Sequence, residues 1–240
     1  MPPMVTLVNR VLSWRARMCV MEREWDEIGV RRTGRLLDEW RGAMTGMRCR
    51  HDRLVADGLW LTGPSGFLEI VGLARHENTH SRMLGWLLTS TARHGLGCEF
   101  VERLVEHCTG EPVSVPLAVR KVAFSVWRNG READLVVWGE NFTLVFENKV
   151  DASEQPSQCD DLYKNFKCER APLFVFLTPD GRKPCTATTR RSQRAFKTLS
   201  WPEVRAMLEG ALSESRSAAE VASAADVVNN YLRTLEEQFG

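Results

Sequence analysis

The hydrophobic pattern along the chain changes period twice. From Val5 to about Leu61, apolar residues such as Ile28, Leu36, Leu37 and Trp40 recur at about one helical turn among many arginines. This predicts helices, closed by the Gly-Pro-Ser-Gly punctuation around Pro64. In a second helical block Met83, Leu84, Leu87 and Leu88 form a stripe behind Asn78 and Thr79, residues suited to capping a helix start. Gly95 and Gly97 set this apart from a helix over Glu99 to Cys108. Beyond Pro112 the period becomes extended, and Asn129-Gly130 is the strongest short hairpin signal in the chain. Strand, turn, strand, turn, strand is the expected order as far as Val150.

The period turns helical again over Ser157 to Phe166. Leu173 to Thr178, an apolar run bounded by Pro172 and Pro179, has the composition of a central strand. A short strand over Phe196 to Leu199 and a helix opened by Trp201-Pro202 follow. Ala211 to Ala225 is expected to be a loose helix or linker. Val227, Val228, Tyr231, Leu232, Leu235 and Phe239 make a final amphipathic helix.

These elements predict an α/β (α+β) fold with a mixed central sheet. A three-strand antiparallel meander is joined by a further strand, helices cover both faces, and the two ends are helical extensions. The expected division is a helical N-terminal extension over 1–62, a core over 63–210 and a C-terminal helical segment over 211–240. A chain of 240 residues suits one good-sized core with appendages.

Candidate chemistry concentrates in the meander, between Arg131 and Lys149. A turn centred on Glu140 and Asn141 sets Asp134 opposite Glu147 and Glu132 opposite Lys149, because partners straddle a turn symmetrically. Side chains two apart share a face, so these four polar groups point the same way. Acids and an ammonium among Leu135, Val136, Val137, Leu144, Val145 and Phe146 are costly to bury without a purpose. A hard divalent cation held by oxygens, with a lysine beside the water it activates, supplies one. The alternative is a cross-strand salt bridge at a sheet edge.

Bulk composition narrows the setting. Hydrophobic residues make up 43% and charged residues 26%, as in ordered globular proteins, and the net charge of +1 leaves polyanion binding to local patches. Seven cysteines without a CxxC pair read as reduced thiols of a cytoplasmic protein, with neither zinc cluster nor disulfide framework. No signal peptide or membrane span is expected, since Asn9 and Arg10 interrupt the N-terminal apolar residues.

The meander residues resemble the PD-(D/E)XK nuclease superfamily, with Asp134 at the second-strand acid and Glu147 and Lys149 at the ExK of the third strand. The resemblance is to a bacterial and phage branch. It extends through RHENTHSRMLGWLL at Arg75 to Leu88, EQPSQCDDLY at Glu154 to Tyr163 and VFLTPDG at Val175 to Gly181, covering roughly Phe67 to Leu208. It implies a restriction-endonuclease-like fold and Mg²⁺-dependent hydrolysis of DNA, with Mn²⁺ able to substitute and 5′-phosphate products. RNA is the less favoured substrate. By the same resemblance Asp134, Glu147, the Asn148 carbonyl and Glu77 hold the metal, Lys149 orients the water, and Gln158 positions Lys149 or the phosphate. The chain departs from the family pattern in two places. Glu132-Ala133 stands where a proline usually precedes the acid, which leaves Glu132 as a rival to Asp134, and Gln158 and Tyr163 are five apart rather than four.

Two other features compete or cooperate with this site. His76-Glu77-Asn78-Thr79-His80 matches HExxH, the zinc-protease pattern, with Glu99 or Glu102 available as a third ligand. The segment Gly181 to Lys197 carries Arg182, Lys183, Arg190, Arg191, Arg194 and Lys197 with no acid, which suits phosphate contacts as well as a solvated loop. The N-terminal arginines read as the wet faces of helices, and Trp14, Trp25, Trp40 and Trp60 as core or interface anchors. Those helices are where a protein partner or second copy is expected. A nuclease-like module that binds DNA or protein without cutting is the remaining alternative.

Overall fold

Strand β1 (Val119–Arg128) turns into β2 (Arg131–Gly139) through Asn129 and Gly130, whose φ angles are +49° and +75°. Two consecutive left-handed residues make the hairpin turn that matches strand twist, which is why this dipeptide was so strong a signal. From β2 to β3 (Thr143–Asn148), Trp138 pairs with Thr143, Val137 with Leu144, Val136 with Val145 and Leu135 with Phe146. The turn is therefore centred on Glu140 and Asn141, as expected. It is tight: Gly139 N–H donates to the Phe142 carbonyl, and a Cβ at Gly139 would lie 2.1 Å from the Phe142 ring.

β3 then pairs in parallel with β4 (Pro172–Thr178), and β4 in parallel with β5 (Phe196–Ser200), giving one sheet in the order β1-β2-β3-β4-β5. The segment over Phe196 to Leu199 thus joins the sheet as a fifth strand. All six residues of β3 are buried, with a ladder on each side.

The described residues are 4–60, 62–214 and 222–240 of a computed structural model. They form two units, Met1–Gly63 and Pro64–Gly240. The first is dominated by one helix, α1 (Met4–Ala56). Several helices were expected there; no proline occurs between Pro3 and Pro64, and isolated glycines do not stop a helix. Trp14, Trp25, Trp40 and Trp60 are exposed, which removes the core half of the expectation that they anchor a core or an interface.

In the second unit α2 (Phe67–Ile70), α3 (Glu77–Leu87) and α4 (Glu99–Thr109) precede the sheet, and α5 (Gln158–Phe166) links β3 to β4. α6 (Arg190–Ala195) lies between β4 and β5, followed by α7 (Trp201–Glu214) and α8 (Ala222–Phe239). The loose helix or linker expected over Ala211 to Ala225 is helical at both ends, and 215–221 fall outside the described residues.

Strand alternation sorts the core. Leu135, Val137, Leu144, Phe146, Val175 and Leu177 pack with α3, α4, α7 and α8, whereas Val136, Val145, Phe174 and Phe176 pack with α5 through Cys159, Leu162 and Phe166. Helices therefore cover both faces, and residues 134, 147 and 149 share the parity of the α5 face. Among the described residues, no helix is long and apolar enough to cross a membrane.

Candidate active site

The register of β2 and β3, carried one step beyond Leu135 and Phe146, sets Asp134 opposite Glu147. Asp134 Oδ2 accepts a 2.7 Å hydrogen bond from Asn148 N–H. Glu147 is fully buried, and its Oε1 accepts from both Lys149 Nζ at 2.7 Å and Gln158 Nε2 at 2.6 Å. Glu77, the first residue of α3, meets the end of β3: its Oε1 accepts from Val150 N–H at 2.8 Å and Ala152 N–H at 3.2 Å, and Oε2 lies 4.0 Å from Lys149 Nζ. Asp134, Glu147, Asn148, Lys149, Glu77 and Gln158 are thus one connected group. Glu132 makes none of these bonds.

The electrostatics are poised against two bare anions. Burial pushes the Asp134 carboxyl up to about 6, with Glu77 and Glu132 adding to the rise, against the opposing pull of Asn148 N–H and Lys149. Burial, and then the charge of Asp134, raises Glu147 well above the ordinary glutamate range. Burial works against the Lys149 charge, yet Glu147, Asp134 and Glu77 together hold it above the usual lysine value. One ammonium therefore leaves the acids undercompensated.

The donor set fits a hard divalent cation. Glu147 Oε2 and Asn148 Oδ1 are buried without a hydrogen-bond partner, and an orphaned carboxylate oxygen is expensive unless something positive completes it. Among the described residues no three His, Cys, Asp or Glu side chains converge tightly enough to hold a metal by themselves. Main-chain oxygen and water would have to complete the shell, as hard cations readily allow.

Gln158 is oriented by residues that the sequence did not single out. Its Oε1 accepts from Gln155 N–H at 2.9 Å, so the amide nitrogen faces Glu147. Arg131 in turn donates to Gln155 Oε1 at 2.8 Å, the Pro156 carbonyl at 2.9 Å and Asp161 at 3.1 Å. Ser157, the residue before α5, has a φ of +58°. Tyr163 packs on Phe174, with ring centroids 5.6 Å apart.

The HExxH expectation fails on hydrogen bonding. His80 is buried with both ring nitrogens engaged, Nε2 with the Ala74 carbonyl at 2.7 Å and Nδ1 with Tyr231 Oη at 2.9 Å. A carbonyl only accepts, so Nε2 carries the proton and Nδ1 accepts from the tyrosine. Burial lowers the His80 pKa to about 4, and no lone pair remains for zinc. His76 is the exposed N-cap of α3, the place expected for Asn78 or Thr79, which fall in the first turn. Glu102, one candidate third ligand, accepts from Leu117 N–H.

The basic segment is folded rather than loose. Glu154 accepts from Arg182 Nη1 at 2.6 Å and from Cys185 N–H, Thr186 N–H and Thr186 Oγ1. Asp160 accepts from Thr188, Thr189 and Ser192 at the start of α6. Arg182 is committed to Glu154. Lys183, Arg190, Arg191, Arg194 and Lys197 are exposed, without an ion pair among the described residues. Glu154 and Asp160 escaped notice because they lie 28 to 32 residues from their partners and look like surface charges until the fold closes over them.

No curated protein matches the chain, and no solved structure does. A family model matches residues 65–233, which take in the sheet, Glu77, Asp134, Glu147, Lys149 and Gln158. The chain belongs to the PD-(D/E)XK nuclease superfamily.

Proposed function

We propose that this chain is a divalent-cation-dependent nuclease that hydrolyses phosphodiester bonds of DNA. The observation that carries the reading is the buried Glu147 carboxylate, with Oε2 partnerless and Oε1 held by Lys149 and Gln158, beside a second acid. Asp134, Glu147, the Asn148 main-chain carbonyl and Glu77 would hold Mg²⁺, and Mn²⁺ would serve in its place. When bound, such a cation acidifies water and offsets charge on the phosphate.

The residues have separate tasks. Lys149 donates to the attacking oxygen and stabilises its developing negative charge, the kind of preorganised contact that favours a transition state. Glu77, already bonded to Val150 and Ala152, holds the strand end on which Lys149 sits. Gln158 fixes Glu147 Oε1, leaving Oε2 as the free donor. Lys183, Arg190, Arg191, Arg194 and Lys197 hold the strand by its phosphates, so binding should weaken steeply with salt. Arg182 shapes that segment through Glu154 and contributes less directly.

The test is cleavage of plasmid and linear DNA, with RNA in parallel, in Mg²⁺, Mn²⁺, Zn²⁺ or EDTA. DNA cleavage that requires Mg²⁺ or Mn²⁺ and disappears in Glu147→Ala is the expected result. A preference for RNA would replace the substrate class, and cleavage retained in EDTA would overturn the mechanism.

A further inference from the structure

In α1 the apolar residues Trp14, Trp25, Leu36 and Met47 stand eleven residues apart and are 67%, 76%, 46% and 64% exposed. An eleven-residue spacing is about 3.67 residues per turn, so such positions stay in line along a nearly straight helix. Met18 and Trp40 widen the line into a stripe, and both are exposed. Within the first unit no second helix or strand is described that could cover it. An isolated helix gains its stability chiefly by packing such a face, and tryptophans are costly to leave in water.

The charges along α1 say what covers it. Glu22, Glu24, Asp26 and Glu27 form an acidic turn, and Arg31, Arg32 and Arg35 form a basic turn immediately after it. Side by side in parallel, two copies would oppose acid to acid and arginine to arginine. Run antiparallel with the two-fold axis near Gly29, the acidic turn of each copy meets the arginine turn of the other. The same register sets Met18 against Trp40, Met21 against Leu37 and Trp14 against Met44, with Trp25 beside Thr33 and Leu36 beside Glu22. Apart from the pair between Glu27 and Arg31 within the helix, at 3.1 Å, these charges have no ion-pair partner among the described residues.

We infer that α1 is an antiparallel dimerisation helix, and that its partner is a second copy of this chain. Three tryptophans per copy, each offering roughly 150–250 Å² when fully buried, bring the covered area to the order of 1,000 Å², the scale of a specific interface.

Sedimentation or light scattering of the full chain, with variants, tests this. The wild type should run at twice its 27.2 kDa mass. Trp14→Glu and Trp25→Glu should each weaken the dimer by about 30-fold or more, as interface anchors do. The charge variant Asp26→Arg should also shift toward monomer, and adding Arg32→Glu should restore the dimer, since these two positions meet in the register about Gly29. Mixed with the wild type, this full charge swap should give no heterodimer. Circular dichroism of each variant separates loss of pairing from loss of helix. A monomeric wild type, or a dimer indifferent to Trp14→Glu and Trp25→Glu with helix content kept, overturns the proposal. Free exchange between the charge swap and the wild type would overturn the antiparallel orientation.

Discussion

Replacing Asp134 by Asn should make the metal-free protein more stable while removing its activity. The amide keeps an oxygen to accept Asn148 N–H and sheds a charge that the fold holds at a disadvantage. Burial raises the Asp134 pKa from 3.8 to about 6, so between these values the native state binds the proton that the unfolded chain has released. Wild-type stability therefore falls as pH rises through that window. The cost above pH 6 approaches about 3 kcal/mol, at about 1.4 kcal/mol per pKa unit, an upper figure because the side chain is not wholly shielded from water.

The assay is urea unfolding in EDTA from pH 4 to 8. The variant and wild type should differ little near pH 4, with the gap opening in favour of Asp134→Asn up to pH 7 and then levelling. Saturating Mg²⁺ should close it, since ligand at one hundred times its Kd adds about 2.7 kcal/mol to the form that binds it. A gap independent of pH, or a variant less stable than the wild type at pH 8 in EDTA, would refute the reasoning that this carboxylate is held in wait for a cation.

Other outcomes follow from the same contacts. Lys149→Ala should lower turnover about 100- to 1,000-fold while calorimetric Mg²⁺ affinity changes little; retained cleavage would remove the lysine from the mechanism. His80 has a native pKa near 4 against 6.5 in the free side chain, so the unfolded state takes the proton first. Its contribution is constant above pH 6.5 and is lost as pH falls toward 4, by up to about 3 kcal/mol. That slope opposes the one from Asp134, so Asp134→Asn should lose more stability toward pH 4 than the wild type does, and adding His80→Gln should reduce that loss. Glu154→Ala strands Arg182 and the Cys185 and Thr186 donors, and should cost about 2–3 kcal/mol in urea unfolding along with a weaker, less salt-dependent hold on DNA.

What the sequence disclosed depended on distance along the chain. Asn129-Gly130 and the tight turn at Glu140 and Asn141 are local signals that set the hairpin registers, and the pairing of Asp134 with Glu147 follows from them by counting. Glu147, Lys149 and Gln158 were legible because they lie within a dozen residues on one strand and the next helix. The Glu154 and Asp160 networks close over 28 to 32 residues, and the link from Tyr231 to His80 spans 151. No periodicity encodes such contacts. The zinc-protease alternative for HENTH stayed open in the sequence for that reason: the tyrosine that occupies the His80 nitrogen comes from the last helix. The helical character of α1 was legible from its period, and with no proline between Pro3 and Pro64 the pattern runs as one helix.

The bond between His80 and Tyr231 also has a consequence in time. α3, which carries Glu77 to the strand end, is anchored by Tyr231 and stacked around by Phe239, within ten residues of the C-terminal Gly240. During synthesis those residues emerge after the sheet and both of its acids. Until then α3 lacks its tether and the centre is unfinished. The order of translation itself places completion of the site after that of the sheet.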